Sequence, residues 1–304
     1  MNATTVCLHC GNDSRPYKGR VMSPFLDWSF KYLFGTEENK PNLIGLLNII
    51  LMPEIPIVDV EFMNNESLPV SSELKGCVFD IICKDSKGEQ YLIEMQNQEA
   101  NNVKERIIYY TCRMIDRMGQ RGNQWNYRDI KKVYTICMMN FIYESSPKLR
   151  RDIQLCDVND GMIFSNKLNI ILLQLPCIKV QNIRECTLFY EHLLYLLQQM
   201  HIGMKSIEEL KREVAETTLP QETKELFYKV LDTAEIASLS EKDRLRYESD
   251  WKNYLDTMSC IERAEEKGKE EKAAEIARSL KSNGVDLGII AKSTGLTIEE
   301  IENL

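Results

Sequence analysis

The chain lacks any uninterrupted apolar run near the ~18 residues that a membrane-crossing helix needs, and its opening, MNATTVCLHCGNDSRPYKGR, lacks the apolar segment of a secretory signal. Neither membrane spanning nor secretion is expected, and a cytoplasmic location is. Pro-rich, Gly/Ser-rich and fixed-period segments are missing too, which excludes linker-like, collagen-like and solenoid architectures. Cys7 and Cys10, with His9 between them, have the spacing of half a zinc site, but no similar second pair follows, so the motif reads as a chance feature of a tail. Other cysteines sit in apolar runs such as CVFDIIC and VYTICMMNF and are expected to be reduced, acting as small hydrophobes. Positive charge is not in excess: the formal net charge of −8 argues against a protein that coats nucleic acid, while leaving local patches open.

What is present is an ordinary globular composition, 43% hydrophobic and 28% charged, over 304 residues, enough for about two domains with sizeable cores. Ser23 and Pro24 form a cap and first-turn proline for a helix through FLDWSFKYLFG that stops at Gly35, and Met22 just before it is a candidate natural start. Pro41 opens a second helix, NLIGLLNIILM, ended by Pro53, and IVDVEFM then alternates as a strand. CVFDIICK and QYLIEMQ flank the turn-forming residues Asp85 to Gly88 as a hairpin. Asn101 or Asn102 caps a helix, VKERIIYYTCRMIDRMGQ, that ends near Gly119 or Gly122. Strands KVYTICMMNF and NIILLQL follow, and beyond Pro176 apolar residues recur only at helical spacing. From Glu241 to Lys281 the chain is charged and reads as an exposed helix or linker.

The hairpin carries the chemistry. A three-residue loop of Ser86, Lys87 and Gly88 puts glycine where a left-handed conformation is favoured and makes Asp85 face Glu89. Asp80 then falls opposite Glu94, and strand alternation puts Gln96 on the same face. Like charges opposed in this way destabilise a sheet, and the apolar flanks, Val78, Phe79, Ile81 and Ile82 on one strand and Leu92, Ile93 and Met95 on the other, make both carboxylates costly to desolvate. Two readings follow from the residues alone. Either the acids share a hard divalent cation such as Mg²⁺ or Mn²⁺, or they lie at a sheet edge and pair with Lys84 or Arg106.

Asp80, thirteen intervening residues and then Glu94-Met95-Gln96 resembles the PD-(D/E)XK nuclease core. With FLDWSFKYLFG (Asp27, Phe30, Lys31, Phe34), the following LLNIIL, and Arg106 with Tyr109 and Tyr110, the stretch from Ser23 to Tyr143 resembles the Rpn family of recombination-promoting nucleases and putative transposases. The resemblance implies an α/β fold, a restriction-endonuclease-like mixed sheet flanked by helices with an α-helical C-terminal region. It also implies a metal-dependent DNA endonuclease linked to recombination or mobile elements. Asp80 and Glu94 would be the ligands of Mg²⁺ or Mn²⁺, and Gln96 would orient the attacking water. This sequence departs from the superfamily pattern in having Gln96 at the lysine position and Phe79 where proline stands. The competing class is a catalytically decayed nuclease fold used as a protein or nucleic-acid interaction module, and RNA remains open as a substrate because no base-reading motif is visible.

Asp27 is either a further acid at the site or a first-turn carboxylate favoured by the helix dipole. Lys31, and Arg106 with Tyr110 four residues on, either meet a phosphate or make structural pairs, Arg106 with Glu94 or Glu99. Residues 101–132 hold eight basic residues against three acidic ones, a net of +5. Arg113 and Arg117 within this stretch are read as phosphate contacts or as part of a solvated face. In the last helices Ala291, Gly295 and Ile301 have helix-turn-helix spacing, and Thr297 with Glu300 forms a capping box. Glu299, Glu300 and Glu302, however, favour a packing or homo-oligomerising element over a DNA reader. The expected organisation is a tail over 1–22, a nuclease-like domain over 23–180, a helical extension over 181–240 and a charged helix with a small helical element over 241–304.

Overall fold

The computed structural model describes residues 19–64, 66–67, 77–78, 80–98, 102–119, 126–143 and 147–304. Cys7, His9, Cys10, Phe79, Glu99, Asn101, Arg121 and Gly122 lie outside the described residues. The chain divides into two compact units, Met1–Tyr247 and Glu248–Leu304.

The first unit opens with α1 (Asp27–Phe34) and α2 (Lys40–Leu51). Phe30, Leu33 and Phe34, at helical spacing, bury one face of α1, and Gly35 ends it as expected. The start differs from the expectation at Ser23. There the Ser23 hydroxyl accepts from Phe25 N–H and meets His201 Nδ1 at 2.8 Å, so this segment forms a turn whose Phe25 and Leu26 are buried before the helix begins. Pro41 sits in the first turn of α2, and Met52, in the left-handed region, closes the helix before Pro53. Upstream of the buried Met22, Gly19 and Arg20 accept backbone hydrogen bonds from Ile207 and Ile236, and Val21 bridges Glu235. Residues 19–21 are therefore built into the fold.

The strands are β1 (Val60–Phe62), the short β2 (Glu66–Ser67) and β3 (Cys77–Val78) that pair with each other, β4 (Ile81–Asp85), β5 (Gln90–Gln96), β6 (Val133–Met139), β7 (Arg150–Cys156) and β8 (Ile163–Gln174). Six form one mixed sheet in the order β1-β4-β5-β6-β8-β7. Its centre, β5-β6-β8, is parallel, and the three remaining pairings, β1-β4, β4-β5 and β8-β7, are antiparallel. Helix α3 (Val103–Asp116) makes the crossover from β5 to β6. Alternation splits the side chains between two buried faces. Leu92, Glu94, Thr135, Cys137, Ile170 and Leu172 lie on the α3 side, where Val103 and Ile107 pack and Thr111 bonds Thr135 at 2.8 Å. Ile81, Tyr91, Ile93, Ile136, Met138 and Leu173 fill the other face, against which Gly35 at the end of α1 approaches Ile81. This is the expected α/β architecture, a mixed sheet flanked by helices and followed by a helical region.

One strand was not expected. β7 pairs antiparallel with β8, which itself begins six residues before the anticipated NIILLQL; an Asp157-to-Gly161 turn with Gly161 at φ 75° joins them. Beyond the sheet lie α4 (Phe189–Ile202), α5 (Ile207–Ala215) and α6 (Gln221–Thr233). The charged stretch forms a single helix, α7 (Glu241–Ser282), about 63 Å long at 1.5 Å per residue. In the second unit α8 (Leu287–Thr294) and α9 (Ile298–Glu302) close around Ala277, Ile290 and Ile301. The expected capping box of Thr297 and Glu300 is present, and Glu299, Glu300 and Glu302 are exposed. No described helix is long and apolar enough to cross a membrane.

Candidate active site

The carboxylate pair is delivered by the register of β4 against β5. Asp85 N–H donates to Glu89 O at 3.0 Å, Gly88 adopts φ 78°, and Ile81 pairs with Ile93, which sets Asp80 opposite Glu94. The Asp85 carboxylate pins the loop by accepting from Lys87 and Glu89 N–H, both at 2.9 Å. Glu94 is on an inner strand beside Cys137 of β6 and only 4% exposed, whereas Asp80, one residue before β4, keeps a 17% exposed side chain.

Met95 N–H donates to Asp80 Oδ2 at 2.8 Å, Asp80 N–H points to Glu94 Oε1 at 3.4 Å, and Gln96 Nε2 donates to Glu94 Oε2 at 3.3 Å. Burial is the largest influence on both acids and holds each well above the usual carboxylate range. The Asp80 charge pushes Glu94 further up, while Met95 N–H and Lys31 pull Asp80 down and Arg106 pulls Glu94 down. The pair therefore resists carrying two negative charges at once.

Two cations approach without closing a hydrogen bond. Lys31 Nζ stands 3.9 Å from Asp80 Oδ1 and 2.7 Å from Asp27 Oδ1, and Arg106 Nη2 stands 3.8 Å from Glu94 Oε2. Burial lowers the Lys31 pKa, but its hydrogen bond to Asp27 and the charges of Asp27, Asp80 and Glu94 outweigh it and leave Lys31 above its ordinary value. The Arg106 guanidinium also lies 5.5 Å from the Tyr110 ring centroid, and a small pocket is walled by Glu94, Gln96, Arg106, Tyr110, Thr135 and Cys137. The anticipated Lys84 alternative is not what forms, since Lys84 pairs with Glu61 at 3.0 Å. Asp27, Lys31, Asp80, Glu94, Gln96, Arg106 and Tyr110 are thus gathered at one end of the central strands.

Arg113 and Arg117 are not part of that cluster. Arg113 pairs with Asp116 at 2.7 Å, and Arg117 Nη2 donates to Asn64 O at 3.1 Å. The roles of Met95 N–H, which fixes Asp80, and of Cys137, whose thiol is pushed far up chiefly by burial behind Glu94, were not read from the sequence. The first follows only from the Asp80 side chain turning onto the β5 backbone one residue before β4 begins. The second follows from the parallel register of β5 with β6, which no local motif encodes.

The donor set suits a hard divalent ion. It offers two carboxylates and an amide, all oxygen ligands, and no group of three His, Cys, Asp or Glu that would suit a softer or fully protein-ligated metal occurs among the described residues. An ion of the Mg²⁺ type is held by one or two carboxylates and keeps several waters.

The raised pKa values make a stability prediction for metal-free protein. The native state holds protons on Asp80 and Glu94 that the unfolded chain has already released, so the pair's contribution is complete below the ordinary carboxylate range near ~4 and is lost as pH rises towards neutrality. Thermal unfolding in EDTA should show Tm falling between about pH 4 and 7.5, and the fall should shrink in Glu94→Gln. Equal slopes in both proteins would mean the pair is ordinarily ionised.

Residues 24–264, most of the chain and all of the site, match the family model of PD-(D/E)XK nuclease family transposases. No curated protein and no solved structure matches the chain. With the Asp80–Glu94–Gln96 face in place and this match running through sheet and helices alike, the chain belongs to the PD-(D/E)XK nuclease family transposases.

Proposed function

We propose that the protein is a metal-dependent DNA endonuclease that hydrolyses phosphodiester bonds in recombination or the movement of mobile elements. The observation that carries this reading is the opposition of Asp80 and Glu94, two acids that burial holds above their usual range and that Lys31 and Arg106 approach only at 3.8–3.9 Å. Asp80 and Glu94 would hold Mg²⁺ or Mn²⁺, which would supply a water of lowered pKa and offset charge developing on the phosphate. Gln96 accepts from or donates to the attacking water and orients it, and its bond to Glu94 fixes the amide. Arg106, beside the Tyr110 ring, and Lys31 would present positive charge to the phosphate. Asp27 keeps Lys31 charged and in place and supplies a further acid at the rim. The test is relaxation or linearisation of plasmid DNA with Mg²⁺ or Mn²⁺ and not with EDTA. Failure to cut DNA or RNA with either ion removes the catalytic reading.

Arg113 and Arg117 extend phosphate contact along α3. Charge reversal at both should weaken DNA binding equally across sequences and reduce its salt slope by up to about 2, because such contacts release counterions without reading bases. Unchanged low-salt binding by a variant whose circular dichroism is native would confine them to their pairs with Asp116 and Asn64.

A second reading, an interaction module that has given up catalysis, is favoured by the same two cations, since Lys31 and Arg106 partly neutralise the acids without a metal. Isothermal titration with Mn²⁺ separates the two: the enzyme binds the ion at Asp80 and Glu94, and the module does not.

A further inference from the structure

Beside the carboxylate pocket, and sharing Val103 and Ile107 with it, a groove of about 580 Å³ runs between α3 and the outer strands β8 and β7. Its apolar floor is Ile107, Ile153, Ile170 and Leu172, and its basic rim is Lys104, Lys148 and Arg151. Asp152, on the strand that walls the groove, pairs with Arg150 at 2.8 Å. Strand alternation sends both of those side chains to the opposite sheet face, where Arg150 also bonds Ile50 O at 2.8 Å.

Register fixes where the groove lies relative to the proposed chemistry. Glu94 pairs with Cys137, Cys137 with Leu172 and Leu172 with Arg151, one straight row across four strands with all four side chains on the α3 face. At about 4.8 Å between strands, the Arg151 backbone is about 14 Å from that of Glu94. A nucleic-acid strand covers that length in about four nucleotides at 3.4 Å each.

Two further features favour an anion here. The N-terminus of the fourteen-residue α3 opens onto both pocket and groove through Val103, and its N-cap Asn102 makes no side-chain capping bond. Tyr143, 8% exposed, lines the groove with Lys104 Nζ 5.2 Å above its ring, and its hydroxyl is buried with no hydrogen-bond partner among the described residues. A buried hydroxyl in that state is costly, and a phosphate oxygen or the water it carries would satisfy it.

We propose that this groove holds the phosphate backbone of the DNA strand that leaves the carboxylate pair, with Lys104, Lys148 and Arg151 contacting it up to about four nucleotides from the cut. The proposal rests on the nuclease reading for the position of the cut, but binding in the groove does not require cleavage. Its apolar floor accommodates sugar and base faces, which gives affinity without sequence preference.

The test is fluorescence anisotropy with a labelled 20-nucleotide strand and its duplex in EDTA, comparing wild type with Lys104→Glu/Arg151→Glu. The variant should bind at least tenfold more weakly, and its log–log salt slope should be smaller by about 1.5 to 2, as for two lost phosphate contacts. Lys267→Glu/Lys269→Glu, on the exposed part of α7, should bind like wild type. To separate contact from misfolding, Ile108→Cys, at a rim position 56% exposed, should exchange with an oligonucleotide carrying a mixed disulfide tethered to a phosphate, releasing the small thiol, well beyond the exchange seen in wild type with its exposed Cys112; exchange no greater than wild type counts against the groove. If plasmid is cut and that cut is lost in Asp80→Asn while the groove variant binds normally, the groove proposal is wrong and the nuclease reading stands. If no metal supports cutting yet the groove variant loses binding, the groove stands and the catalytic reading falls. A wild type that binds neither strand nor duplex overturns the groove.

Discussion

Asp80→Asn is expected to lower metal-dependent cleavage by at least about 10³-fold while leaving the metal-free protein as stable as wild type or more so, since the ion's charge stabilisation is worth several kcal/mol and each 1.36 kcal/mol is tenfold in rate. The change is nearly isosteric, and the amide oxygen can still accept from Met95 N–H, as Asp80 Oδ2 does at 2.8 Å. What disappears is a buried charge facing Glu94, so Glu94 should fall back towards the usual carboxylate range. Wild type should gain thermal stability on adding Mn²⁺, by about 2.7 kcal/mol at a hundred times its Kd, and the variant should gain less. Differential scanning fluorimetry with and without Mn²⁺, run beside plasmid cleavage, reads both effects. A variant that cuts DNA, or whose metal-induced stabilisation equals that of wild type, would make the pair structural.

This outcome is sharp because the site's charges are arranged as a chain rather than as isolated pairs. Asp27, Lys31, Asp80, Glu94 and Arg106 alternate in sign except at the centre, where the two acids meet. The terminal contacts are short where water reaches them, at 2.7 Å for Asp27 with Lys31, and long where the groups are most buried. Exposed Asp27–Lys31 pairing contributes little to stability, about 0.3–0.5 kcal/mol for an i,i+4 pair. Its consequence is positional: it holds an ammonium beside Asp80 that does not itself complete the neutralisation.

The hairpin was legible because its determinants are local. Gly88 fixes the loop and with it the register; because both faces of β4 and β5 are buried, a one-residue slip would break the opposition of Asp80 and Glu94 rather than expose an apolar face. The partners of the acids were less legible. Lys31 reaches Asp80 across 49 residues, and the Arg151 row depends on a strand, β7, whose outer residues are exposed on both faces and so carry no period-2 signal. The turn that announces β7, Asp160-Gly161, was present, but with polar and apolar residues mixed on either side it did not read as a hairpin. The early start expected for α1 failed for a tertiary reason, since Ser23 spends its hydroxyl on Phe25 N–H and His201 rather than on a helix end.

Gln96→Ala is expected to cost about 10²-fold in cleavage rate, at the lower end of what positioned proton-transfer groups contribute, with most of the Mn²⁺-induced stabilisation retained. Gln96 occupies the position where the superfamily pattern has lysine, two residues after Glu94 on the same face, so it can orient a water but supplies no charge. Its bond to Glu94 Oε2 at 3.3 Å is long, and deleting it leaves that oxygen still facing Arg106 at 3.8 Å, which is why the carboxylates should keep their hold on an ion. Gln96→Lys provides the opposite perturbation. An ammonium there would favour ionised Glu94, flatten the pH dependence of metal-free stability, and raise the rate if positive charge at the water is what the native amide lacks. Single-turnover cleavage with metal-titrated stability separates these effects. A Gln96→Ala protein that loses its Mn²⁺ response together with its rate would make the amide a ligand or a structural brace, and one that keeps full rate would remove it from the reaction.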